Sequence, residues 1–133
     1  MQIKDIIAVS GVGGLSKLIN SRTNGLLLED LDSGKTKFYS LRKHQFTPLE
    51  TVSIYTMMDT AELKEVFASM RNLEKEYPVP SPKDSNRLLS DYFENILPDY
   101  DRDRVYPSDI KKIIKWYNIL ADKGLLEGSD EEE

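Results

Sequence analysis

Cysteine is absent from this chain of 133 residues, and histidine and tryptophan occur once each. Without a thiol there is no disulfide, no thiolate metal ligand and no cysteine nucleophile. With His44 as the single imidazole, a two-histidine metal site cannot form within one chain, and no zinc is expected. A serine triad would need Ser40 or Ser53 beside His44, and the spacing supports neither, so His44 reads as a loop residue. Long apolar runs are also missing. Nothing approaches the roughly 18 residues of a membrane span, and Met1–Asp5 lacks the apolar core of a secretion signal. The expectation is a cytoplasmic protein that is not an enzyme and uses no cofactor or metal.

Other features are ordinary for a folded chain, with 39% apolar and 31% charged residues. A domain of this length buries about two-thirds of its unfolded surface, enough for a proper core. The net charge of −5 is concentrated at the C-terminus, in Glu127, Asp130, Glu131, Glu132 and Glu133. Residues 127–133 therefore read as a disordered acidic tail. Residues 1–58 hold seven Lys/Arg against five Asp/Glu, an excess too small to recruit nucleic acid by field alone.

The stretch from Leu15 to Leu41 organises the rest. It carries two chain reversals, Asn24-Gly25 and Asp32-Ser33-Gly34-Lys35, each between runs that favour strand. Asn-Gly suits a type I′ hairpin, which needs positive φ at both central residues. Strands over Leu15–Asn20, Gly25–Leu31 and Thr36–Leu41 then form a meander. Asp5–Val9 reads as an earlier strand or as a helical turn, a choice that short apolar runs leave open. Alternation puts Phe38 and Tyr39 on opposite faces, one of them inward. Thr47-Pro48-Leu49-Glu50 has the form of a capping box and predicts one helical turn before a strand over Val52–Thr56.

After Thr56 the apolar period lengthens to about 3.6 residues. Leu63, Val66, Phe67 and Met70, extended by Leu73 and Tyr77, predict a helix with Asp59 as N-cap and a Met58–Leu63 staple. Tyr77-Pro78-Val79-Pro80 is an extended connector. A second helix is expected from a Ser81-Pro82 cap, with Leu88, Leu89, Tyr92, Phe93 and Ile96 on its apolar face. The third is capped at Ser108-Asp109, buries Ile110, Ile113, Ile114, Tyr117, Leu120 and Ala121, and closes in a Schellman end at Gly124. The expected fold class is α+β: an N-terminal SH3-like barrel or meander sheet over 1–57, three helices over 58–126 and the tail over 127–133.

Two motifs have plain readings. Gly11-Val12-Gly13-Gly14 lacks both the third small residue of a dinucleotide fingerprint and the Lys-Ser/Thr of a phosphate loop, so it reads as a turn between strands. Asp99, Asp101 and Asp103 begin like a calcium loop, but Arg104 and Ile110 stand where glycine and glutamate are required. On the third helix, Trp116 and Ile119 lie off the buried stripe, flanked by Lys112 and Lys115. They form either a contact patch or the second buried face of a central helix.

Lys4-Asp5-Ile6, Ser10-Gly11, Gly14-Leu15-Ser16-Lys17-Leu18, Asn24-Gly25-Leu26, Leu31-Asp32-Ser33-Gly34-Lys35 and Ile54-Tyr55-Thr56 together resemble an uncharacterised bacterial family known only as a domain of unknown function. Residues from Thr60 to Leu126 resemble the helical companion found after it. The resemblance implies a small β domain followed by helices and carries over no catalytic or ligand residue. The function expected is non-catalytic protein binding or self-association through Tyr39, Trp116 and Ile119. The alternative is RNA or other nucleic-acid binding, with Lys17, Arg22, Lys35, Lys37, Arg42 and Lys43 on phosphates and Tyr39 or Phe46 stacking on bases.

Overall fold

The structure is a computed structural model that describes residues 3–126, so the acidic tail lies outside the described residues. The backbone divides into two units between Val52 and Ser53. In the first, five antiparallel strands form one sheet: β1 (Ile6–Val9), β2 (Ser16–Arg22), β3 (Gly25–Asp30), β4 (Thr36–Ser40) and β5 (Phe46–Pro48). Their order is β4-β3-β2-β1-β5, so the sheet is an open meander with β5 added beside β1, not a closed barrel. The short run at residues 6–9 is a strand because it pairs on both sides, with β2 and β5, and its β-branched side chains pack on the pleat.

Register decides the core. Tyr39 pairs with Leu26, Lys37 with Leu28 and Leu18 with Leu28, which places these residues on one face. On that face Ile7, Val9, Leu28 and Tyr39 are buried, with Val12, Leu18, Leu26 and Phe46 packed against them. Each fully buried aliphatic side chain contributes about 1.5–3 kcal/mol, against about 0–1 kcal/mol for an exposed ion pair. Apolar packing therefore sets the register. A bulge inserts Ile19 between the Leu18↔Leu28 and Asn20↔Leu27 pairs.

The first reversal differs in kind from the type I′ turn expected at Asn24-Gly25. Arg22 pairs with Gly25, so the loop is Thr23-Asn24, and neither Asn24 nor Gly25 has positive φ. Gly25 is needed for space: a Cβ there would collide with the Tyr39 carbonyl oxygen and stand 2.6 Å from Phe38 Cζ. At the second reversal the backbone explanation holds, with Gly34 at φ 73° and its N–H donating to Asp30 O at 2.8 Å. Asp30 Oδ1 accepts from the Asp32 and Ser33 amides. The Gly11–Gly14 segment forms a turn between β1 and β2, as its glycines predict. Thr47 makes no capping box because it lies in β5 opposite Ala8; a 3-10 turn over Leu49–Thr51 follows, starting at Pro48 without a side-chain cap.

The second unit begins with a hairpin, β6 (Ser53–Tyr55) and β7 (Thr60–Glu62), and continues into α1 (Leu63–Asn72), α2 (Asn86–Ile96) and α3 (Pro107–Asp122). The strand expected around Val52–Thr56 exists, but it pairs with β7 and not with the five-stranded sheet. This pairing also moves the start of α1. Asp59 is not its N-cap: Asp59 N–H donates to Thr56 Oγ1 at 3.0 Å inside the hairpin turn, and Met58 is exposed while Leu63 is buried, so no staple forms. Thr56 bridges Tyr100, and Asp101 N–H donates to Tyr55 O at 2.9 Å, tying the loop after α2 to the hairpin.

Ser81 closes a local turn with Asp84, whose Oδ2 accepts from Ser81 N–H at 2.9 Å. Four residues later Ser85 is the actual N-cap of α2, its oxygen accepting from Leu88 N–H. Leu88 is exposed, whereas Leu89, Tyr92, Phe93 and Ile96 are buried. In α3, Pro107 takes the first position and Asp109 Oδ2 accepts from Tyr106 N–H at 2.9 Å. Its buried stripe is Ile110, Ile113, Ile114, Tyr117 and Leu120, with Ala121 outside it. The Schellman end forms as expected: Leu125 N–H donates to Leu120 O at 2.8 Å and Gly124 N–H to Ala121 O, with Gly124 at φ 70°.

Candidate functional site

β4 is an edge strand and carries the contrast between the two aromatic neighbours. Tyr39 is the inward one, 9% exposed, with its ring edge-on to His44 at 5.2 Å and Lys37 Nζ 5.4 Å from its centroid. Its assignment as an exposed contact is therefore corrected, because pairing with Leu26 turns Tyr39 onto the face of Leu28. Phe38 is the outward aromatic, 41% exposed, on the face it shares with Leu27. Ile19 and Leu41 are exposed as well, at 47% and 53%. Ile19 went unrecognised because a bulge, which no alternation pattern signals, puts it there. His44 is a loop residue, its Nδ1 3.2 Å from Ser10 O.

All six basic residues of the proposed phosphate-contacting set are exposed, but they do not share a face. Lys17 lies across from Glu29 toward one end of the sheet, with Lys35 next to the turn at that end. Arg22, Arg42 and Lys43 lie at the other end, where Thr23, Asn24, Ser40, Leu41 and Arg42 line a shallow cleft. Lys37 stands on the Tyr39 face. Phe46 is half-buried against the core and offers no free ring for stacking.

In the helical unit, Trp116 and Ile119 are half-buried, between exposed Lys112 and Lys115. More open are Tyr55, Met57, Met58 and Tyr106. Sequence reasoning passed over Met58 by assigning it to a staple. Arg104 lies over the Tyr55 ring at 5.1 Å and 3.6 Å from Asp101, whose Oδ1 also accepts from Asp103 N–H. The central carboxylate of that aspartate-rich loop, Asp101, is thus engaged with the chain itself. Among the described residues no group of three or more His, Asp or Glu is placed to hold a metal.

Inside this unit Tyr117 Oη donates to Glu74 Oε2 at 3.1 Å. Burial, and then the Glu74 charge, push the Tyr117 phenol up to about 12. Burial raises the Tyr92 phenol further, and its hydroxyl has no hydrogen-bond partner among the described residues. A phenol held neutral in this way is a packing group at ordinary pH. Nor does any described helix have the length and apolarity to cross a membrane.

Comparison with known proteins gives the same division of the chain. Residues 52–120 match the family model of a domain of unknown function, DUF6852, and residues 3–49 match that of another, DUF5606. A solution NMR structure from Bacteroides vulgatus, a structural genomics target, is 35% identical with a TM-score of 0.72, over 95% of this chain and 90% of that one. No curated protein matches.

Proposed function

The chain belongs to the DUF6852 family of unknown function, behind a DUF5606 domain, and from that premise we propose that it is a non-catalytic cytoplasmic module that binds a protein partner. The observation that carries this reading is the exposure of Phe38 on β4 and Ile19 on β2, with Leu41 exposed just past the end of β4. Large apolar side chains left exposed on a surface favour desolvation by a partner, and an aromatic anchor such as Phe38 often dominates the binding energy once buried. The absence of cysteine suits a reducing compartment, and the spacing of His44 from Ser40 and Ser53 gives no support to a serine triad. Trp116 and Ile119, half-buried on α3, offer a second apolar contact.

Affinity capture from the native cell with the wild-type chain and a Phe38→Ser/Ile19→Ser variant tests this reading. The expected result is a specific partner held by wild type and lost by the variant, with Trp116→Ala retaining it. An unchanged set of captured proteins would refute it. The nucleic-acid reading is less well supported, because the basic side chains stand on two faces and at both ends of the sheet.

A further inference from the structure

Resting on the protein-binding reading, we infer that the outer edge of β4 takes an extended acidic segment of the partner, which adds to the sheet as a sixth strand. The hydrogen bonds Asp30 N–H to Lys35 O and Leu41 N–H to Asn24 O fix the phase of the β3–β4 ladder. They mark residues 35, 37, 39 and 41 as those whose backbone groups turn toward β3. In an antiparallel ladder the alternate residues turn the other way, so Thr36, Phe38 and Ser40 direct their amides to the open side. The Ser40 carbonyl is already taken by the Lys43 and His44 amides. The edge thus offers the amides of Thr36, Phe38 and Ser40 and the carbonyls of Thr36 and Phe38, the groups that strand addition uses.

Charge selects the occupant. From Lys35 to Phe46 the chain has Lys35, Lys37, Arg42 and Lys43 and no acidic residue. A second copy would bring an equally basic edge against this one, and like charges across a ladder destabilise pairing. An acidic strand meets the opposite condition. Its residues on the Lys37 face would be Glu or Asp, and those on the Phe38 face apolar, an alternation that follows the pleat. The cleft of Thr23, Asn24, Ser40, Leu41 and Arg42 lies at the end of β4 and gives the segment an arginine to finish on.

The test is NMR titration of the full chain with a blocked hexapeptide alternating Glu and Val, and with its Lys–Val counterpart. Expected are shifts and slowed exchange at the Thr36, Phe38 and Ser40 amides, larger than at Lys37 and Tyr39, with the Glu–Val peptide only. Lys37→Glu should weaken that peptide about tenfold and admit the Lys–Val peptide. Arg42→Glu, away from the Tyr39 ring, should weaken it several-fold even if Lys37→Glu disturbs the fold. Equal response to both peptides, no edge-amide response, dimerisation through β4 without peptide, or the same amide shifts with single-stranded RNA would each overturn the inference. Shifts confined to the side chains of Ile19 and Phe38 would overturn edge addition while leaving the protein-binding reading intact, whereas that reading fails by the capture experiment.

Discussion

A methyl group at Gly25 would meet the Tyr39 carbonyl oxygen and the Phe38 ring at once, and the carbonyl belongs to a strand that cannot retreat without breaking its pairing with β3. Gly25→Ala is therefore expected to destabilise the sheet by about 2 kcal/mol, at the high end of single substitutions. Urea unfolding followed through the amides of β2–β4 measures it. Tyr92 presents the opposite case. Its buried hydroxyl has no partner among the described residues, so Tyr92→Phe should leave stability unchanged or raise it by up to about 1 kcal/mol. Tyr117 adds a pH dependence. Its folded value is raised above the unfolded value near 10, so the neutral phenol favours the fold below pH 10, and that contribution is lost as pH rises toward 12. Urea midpoints from pH 9 to 12 should fall less steeply in Tyr117→Phe than in wild type.

At the scale of elements, two serines of similar appearance differ in what they start. Ser85 caps α2, so Ser85→Ala should cost about 1 kcal/mol. Ser81 only closes the turn before it, and Ser81→Ala should cost clearly less; circular dichroism during thermal unfolding separates the two. This pair also shows why the sequence was legible in part. Ser81-Pro82 and Ser85-Asn86 both carry capping chemistry, and only the placement of Leu89 against the core decides which one begins the helix. The same competition moved the start of α1, since Asp59 with Glu62 three residues on satisfies a cap pattern, yet Thr60–Glu62 finds a strand partner in Ser53–Tyr55. The α3 stripe and its glycine end were legible because local signals and packing agree there. On the candidate surface, alternation separated Phe38 from Tyr39 but could not say which points inward, since that depends on cross-strand partners.

For the molecule as a whole, the formal charge of −5 describes an acidic chain, and the first unit nevertheless has a basic, acid-free segment over residues 35–46. Long-range attraction to a polyanion from so few cations is screened within about 8 Å at 0.15 M salt. Single-stranded RNA is thus expected to give no saturable binding at that ionic strength by fluorescence anisotropy; saturable binding there would favour the nucleic-acid reading. The α+β class and the order of sheet before helices followed from the change of apolar period. The open edges of the sheet did not, because closure depends on whether β4 and β5 meet, and no local pattern records that.

By holding residues 60–62 in a strand, the β6–β7 hairpin leaves two thioethers at its tip, Met57 and Met58, at 65% and 91% exposure, while Met70 is sealed inside. Peroxide should convert the tip pair to sulfoxides well before Met70 reacts, with the unit still folded, because sulfur that carries no packing can take up oxygen at little structural cost.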